Sequence, residues 1–134
     1  MKFSKQKLGK IAKAYKIADV YFFGSRISGF ARKESDFDIG VRFKNGLPPA
    51  EKIGKIYGNI FSDLQECFKG KKIDLVFIDE VPPHFQFKIV AEGELLYSEN
   101  PKNTYNFKEK VINFYLDYKY FIDEYFQGIL ERVK

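Results

Sequence analysis

Residues 36–43 read Asp-Phe-Asp-Ile-Gly-Val-Arg-Phe, and this segment constrains the fold more than any other part of the chain. Polarity alternates with a period of two, which is the pattern of a half-buried β-strand. Successive side chains of a strand point to opposite faces, so Asp36 and Asp38 share one face while Phe37 and Ile39 take the other. The chain must therefore form a sheet with an apolar face to cover and a second face that carries two like charges, about 7 Å apart along the strand. Such a pair repels unless something cationic sits between its members.

The flanking segments supply the rest of a small α/β unit. Residues 18–23 (ADVYFF) and 72–78 (KIDLVFI) are short apolar runs that predict strands, and Leu95–Tyr97 predicts a short edge strand. Helical spacing of Leu8, Ile11, Ala12 and Tyr15 predicts a helix over 4–16. A second helix should start after Pro48-Pro49, present Ile53, Ile56, Ile60, Leu64 and Phe68 on one side, and stop at Gly70. Residues 25–32 predict one or two helical turns, followed by a loop over 33–35. Pro82-Pro83 open a short helix that ends near Gly93, and Asn103 or Thr104 caps a long final helix to about residue 132. The order is αβαβαβαβα, so the expected fold is α/β (α+β): a small mixed central sheet flanked by helices, with a long C-terminal helix.

Three further residue groups converge on Asp36 and Asp38. Gly24-Ser25 follow the first strand, ten residues before Asp36. A glycine at a strand-to-helix turn lets the backbone approach a phosphate, and free N–H groups of a following helical turn would bind it. Arg26 can meet the same anion with its planar fork. Asp74 stands within KIDLVFI among Ile73, Leu75 and Val76, where it is expected to be a costly interior acid that needs a partner or a metal. Asp79 is expected to be a turn acid only.

Bulk properties narrow the setting. With 134 residues, one cysteine (Cys67) and a formal charge of +5, the chain fits a single domain, admits no internal disulfide and favours anionic partners. Its lysine-studded N-terminus predicts no signal peptide and no segment predicts a membrane span, so a cytoplasmic protein is expected. No interleaved aromatic–basic pattern predicts direct nucleic-acid binding. His84, the one histidine, follows Pro82-Pro83 and is expected to be structural or exposed. Lys69, Lys71 and Lys72 read as a solvated turn.

The stretch GSRISGFARKESDFDIGVRF, with Asp74 in KIDLVFID and the later AEGELLYSE, resembles the DNA-polymerase-β-type nucleotidyltransferase superfamily. It is most similar to that superfamily's minimal nucleotidyltransferase (MNT) branch. The resemblance covers about residues 1–98, which implies a minimal nucleotidyltransferase domain there; residues 99–134 are expected to form a C-terminal helix that packs on the domain and on a partner. It implies that Gly24, Ser25 and Arg26 hold the nucleotide. It further implies that Asp36, Asp38 and Asp74 are the catalytic acids and hold Mg²⁺ (two ions), with Asp74 acting on the acceptor hydroxyl. A Gly-Ser-Arg start is typical of MNT proteins paired with HEPN ribonuclease toxins, so the resemblance implies an antitoxin that transfers AMP from ATP to a tyrosine of a HEPN toxin. The same site could instead act on a small hydroxyl-bearing molecule, or the protein could neutralise a toxin by binding alone.

The final helix bears on that choice. Val111, Tyr115, Tyr118, Ile122, Tyr125 and Ile129 recur by four and three along one seam, and Phe107, Phe114, Phe121, Ile112, Phe126 and Leu130 flank it. One small sheet covers only part of such a surface, so Tyr115, Tyr118, Ile122, Tyr125 and Phe126 are expected to meet a partner protein.

Overall fold

The computed structural model describes residues 3–23 and 37–133. The expected helical turns over 25–32 and the loop over 33–35 lie outside the described residues. Helix α1 (Lys5–Ala14) leads into β1 (Ile17–Phe23), and β2 (Phe37–Phe43) is followed by α2 (Ala50–Cys67) and β3 (Ile73–Phe77). A 3₁₀ turn (Ile78–Glu80), α3 (Pro83–Phe87) and a π-helical turn (Lys88–Glu92) then lead to β4 (Glu94–Ser98) and α4 (Pro101–Val133). The strands form one sheet in the order β3-β2-β1-β4. β2 and β3 are parallel, and both neighbours of β1 are antiparallel to it. The expected mixed sheet with a long terminal helix is the observed architecture.

Local chemistry sets the element boundaries. The Ser4 hydroxyl accepts from Lys7 N at 3.2 Å and caps α1. Gly70, with φ of 79°, takes the left-handed turn that ends the α2 region, a conformation that a side chain disfavours. α4 starts earlier than Asn103 or Thr104. The side chain of Asn100 accepts from Asn103 N at 3.2 Å, so Asn100 is the capping residue and Thr104 is free for another task.

Strand alternation divides the core into two. On one face Val20, Phe22, Ile39, Val41, Leu75 and Phe77 pack against α1 and α2 through Leu8, Ala12, Ile60 and Leu64. Ile60 and Leu64 are completely buried, and each such side chain contributes roughly 1.5–3 kcal/mol relative to exposure. On the opposite face Tyr21 and Phe23 pack with Ile78, Ile89, Val90 and Val111, so α3, the π turn and the first turns of α4 form the second layer. The close approach of that layer depends on small residues. A Cβ on Gly40 would stand 3.2 Å from Ile78 Cγ1 and 3.3 Å from Ile89 Cγ2. A Cβ on Gly93 would run into the Ile89 carbonyl oxygen and stand 3.0 Å from that of Phe22. This explains the glycine of AEGELLYSE: the π turn, closed by Gly93 N donating to Ile89 O at 2.9 Å, meets β1 backbone to backbone there.

α4 belongs to the domain only in part. Thr104 and Val111 are its buried residues, and Tyr115 stacks on Phe87 with ring centroids 4.2 Å apart. Beyond that point Tyr118, Tyr120, Phe121, Tyr125, Phe126 and Leu130 are exposed. Among the described residues no helix is long and apolar enough to cross a membrane.

Candidate functional site

The two acids that the structure describes are brought together by strand register. Asp38 is the second residue of β2, and Asp74 is the second residue of β3. The parallel ladder pairs Asp38 with Asp74 directly, and the antiparallel ladder pairs Asp38 with Phe23. Paired residues on adjacent strands project to the same side, with backbones about 4.8 Å apart. Their neighbours Phe37, Ile39, Ile73 and Leu75 all lie in the core beneath α1 and α2. Both carboxylates therefore leave from the opposite face, at the end of the sheet where β1 finishes and β2 and β3 begin. Phe23 borders them on that face and meets Phe85 edge-on at 5.7 Å.

Asp38 is half-buried, whereas Asp74 is exposed. The expectation of a costly interior acid at 74 is corrected here. Alternation buries Ile73, Leu75 and Phe77 under α2 and leaves Asp74 on the face that the α3 layer does not cover at this end. Its charge is felt nearby: the Tyr57 phenol is pushed up, first by burial and then by Asp74, while the bond from Tyr57 Oη to Leu75 O at 2.8 Å pulls the other way. Lys71 and Lys72 are exposed at this same end. Phe37 N donates to Lys72 O at 2.8 Å, and the Lys71 ammonium stands 5.3 Å from the Phe37 ring centroid. They place positive charge next to the acid end, beyond their role as a turn.

Asp36, Gly24, Ser25 and Arg26 lie outside the described residues. Among the described residues no three His, Cys, Asp or Glu side chains gather as a metal site. Asp38 and Asp74 are an oxygen-only pair of the kind that suits a hard divalent cation. His84 is exposed on α3, as expected. Cys67 is buried, its thiol pushed up by that burial, consistent with an inert core residue.

A second polar constellation was not foreseen. Asp19, completely buried, accepts from Arg42 Nε at 2.5 Å and from the Thr104 hydroxyl. The Arg42 guanidinium lies 4.5 Å from the Phe107 ring centroid, and the Ser98 and Thr104 hydroxyls are 2.6 Å apart. The signal was present in the sequence: an acid and an arginine stand in two apolar strands, and antiparallel register makes Asp19 and Arg42 direct neighbours. The cluster fastens the start of α4 to the sheet at the end away from Asp38 and Asp74. Asp79, expected to be a turn acid, sits in the 3₁₀ turn and accepts from Phe43 N at 3.0 Å. Burial pushes its carboxyl up, against the pull of the Phe43 N–H and of Arg42.

The polymerase beta nucleotidyltransferase family model matches residues 6–102. No curated protein sequence matches the chain. Among solved structures, the chain is similar to one chain of a toxin–antitoxin complex crystallised with AMP-PNP. That match has 19% identity and a TM-score of 0.69, and covers 95% of this chain and 98% of the other. It is also similar to a chain of the MntA–HepT toxin–antitoxin complex, at 19% identity and a TM-score of 0.63, over 94% of this chain and 96% of the other. A third match is a chain of a tri-AMPylated Shewanella oneidensis HEPN toxin in complex with an MNT antitoxin, at 19% identity and a TM-score of 0.63, over 94% and 95%. The structural likenesses reproduce the whole architecture, α4 included, and the family model spans the sheet that carries both acids: the chain belongs to the polymerase beta nucleotidyltransferase family.

Proposed function

We propose that the chain is an Mg²⁺-dependent adenylyltransferase that moves AMP from ATP to a tyrosine hydroxyl of a HEPN toxin, and so acts as the toxin's antitoxin. The observation that carries the reading is the direct register of Asp38 with Asp74 at one end of the sheet, with Asp36 two positions before Asp38 in sequence. Support for the acceptor comes from the fold relatives, which include a complex with AMP-PNP and a complex with an AMPylated HEPN toxin.

Asp36, Asp38 and Asp74 would hold the metal, which when bound supplies Lewis-acid stabilisation of negative charge on phosphate and hydroxyl oxygens. Gly24, Ser25 and Arg26 would hold the nucleotide's phosphates through backbone N–H groups and a guanidinium. The acceptor oxygen attacks the α-phosphorus in line. An O–P bond forms, the α–β phosphoanhydride bond breaks, and pyrophosphate leaves. The hydroxyl proton passes to Asp74, whose exposure gives an incoming side chain access to it. Phe23, the register partner of Asp38, borders the pair on one side and would restrict the directions from which an acceptor can approach.

The test is transfer of label from α-³²P-ATP to the purified toxin. Asp38→Asn and Asp74→Asn are each expected to lower the rate by at least about 100-fold, the low end for loss of a positioned acid–base group. Wild-type rates in both variants would sink the assignment. The exposed second half of α4 favours one alternative, neutralisation by binding alone. An Asp36→Asn/Asp38→Asn variant that still neutralises the toxin would establish that alternative.

A further inference from the structure

α4 carries a single apolar seam from the core of the domain to a region where Tyr118, Tyr125 and Phe126 are exposed. At about 100° per residue, Thr104, Phe107, Val111 and Tyr115 fall on one side of the helix, and Tyr118, Ile122, Tyr125 and Ile129 continue the same side. The first four are committed inside the domain. Thr104 is bonded to Asp19, Phe107 lies against Arg42, Val111 is in the core with Tyr21 and Phe23, and Tyr115 is on Phe87. These contacts also give α4 a direction. Asp19 marks the far end of β1, whereas Phe23 pairs with Asp38, so the helix climbs over the sheet toward the acid end.

The later residues continue past that end. Tyr118 is 49% exposed, Tyr125 58% and Phe126 56%. From Tyr118 to Val133 the helix extends roughly 23 Å further. Its exposed aromatic and aliphatic side chains on the seam side and its flanks amount to roughly 800 Å² of surface, above an ordinary monomer's scattered apolar patches and comparable to one side of a standard interface. A molecule seated on this seam occupies the continuation of the domain's own α3–α4 layer. It therefore abuts the face and the end of the sheet from which Asp38 and Asp74 project.

Building on the transferase reading above, we infer that the protein acceptor itself is the occupant. α4 is an arm shared between this domain's core and the acceptor, and its length and phase determine which acceptor hydroxyl reaches Asp38 and Asp74. Docking and chemistry are thus coupled by one rigid element. The seam offers aromatic rings with two tyrosine hydroxyls (Tyr118, Tyr125), which fits an apolar protein groove with polar edges.

The experiment lengthens the arm without changing its phase. Seven residues of an Ala-, Glu- and Lys-based helical sequence, inserted after Leu116, shift the seam outward by about 10 Å and return it to within about 20° of its original facing. The full chain carrying this insert is compared with wild type and with Tyr125→Lys for toxin binding, for label transfer from α-³²P-ATP, and for the position of the modified residue by mass spectrometry. The insert is expected to bind toxin but to lower labelling of the wild-type hydroxyl by at least about 100-fold, or to move the label, since displacements of ångströms are enough to lose that much rate. Tyr125→Lys is expected to lose binding and labelling together with an unchanged circular dichroism spectrum. This second variant decides the matter if the insert does not fold. Wild-type labelling of the same residue by the insert, or wild-type binding by Tyr125→Lys, would overturn the inference and leave the transferase reading standing. Absence of transfer by the wild-type protein would instead remove the reading on which the inference rests.

Discussion

Replacing Asp19 with alanine tests how the two halves of the molecule are joined. The Asp19 carboxylate is completely buried, with one oxygen 2.5 Å from Arg42 Nε and the other bonded to the Thr104 hydroxyl. Arg42 is 8% exposed, and its Nη2 has no protein partner among the described residues. Without Asp19 the guanidinium would keep only the Phe107 ring and the more distant Asp79 charge as compensation. Removing one member of a buried ion pair costs about 3–5 kcal/mol, because the remaining charge stays desolvated. Loss of the Thr104 bond adds about 1 kcal/mol. A total of about 4–6 kcal/mol is a large share of the roughly 5–15 kcal/mol that holds a domain together. Urea unfolding followed by far-UV circular dichroism should show it as a lower midpoint at unchanged slope. Asp19→Leu combined with Arg42→Met should recover most of the loss, since hydrophobic replacement of both charges removes the desolvation penalty. A loss below about 1 kcal/mol in Asp19→Ala, or a double variant as unstable as the single one, would refute the idea that this is a desolvated pair fastening α4 to the sheet.

Other variants probe the remaining layers. Asp79 has a folded pKa above its unfolded value, so the native chain binds more protons there; its stabilising contribution is complete below the unfolded carboxylate range and is lost as pH rises through the folded value. Asp79→Asn retains an acceptor for Phe43 N, so it should raise Tm relative to wild type at pH 7 and lose that advantage at pH 4; a Tm difference independent of pH would contradict this. Gly93→Ala should destabilise far more than Gly40→Ala in the same urea assay, because the new methyl meets backbone at 93 but side chains of Ile78 and Ile89 at 40. Tyr21 Oη is buried without a protein hydrogen-bond partner among the described residues, and burial raises the phenol pKa. Tyr21→Phe should therefore leave Tm unchanged or raise it, and a drop equivalent to more than about 1 kcal/mol would reveal a hydrogen bond at this position.

Much of this molecule is legible from sequence because two periodicities suffice. The period-two pattern of DFDIGVRF places Phe37 and Ile39 in the core and sends Asp38 the other way, as the alternation requires. The 3.6-residue pattern in α2 selects Ile60 and Leu64, and both are fully buried. A motif of short sequence range resembles the nucleotidyltransferase family, and the family model covers the same region. Local chemistry also marks the ends of elements, although Thr104 shows its limit: a threonine suited to capping is recruited to a buried carboxylate instead, and Asn100 takes the cap.

What the sequence could not decide is which residues become neighbours across strands. Asp74 looks like an interior acid when judged by Ile73, Leu75 and Val76, because a one-dimensional neighbourhood averages over two faces that a strand separates. Only the parallel register of β3 with β2 sets it beside Asp38 and leaves it exposed. Asp19 and Arg42 are 23 positions apart, and only the antiparallel register turns two ordinary charges into a buried pair. The seam of α4 is continuous in sequence, yet the end of the sheet beneath it determines that Val111 is core and Tyr125 is surface. Sequence determines which faces are apolar, because periodicity is a local property; tertiary structure determines what covers them, because burial depends on where the neighbouring layer stops.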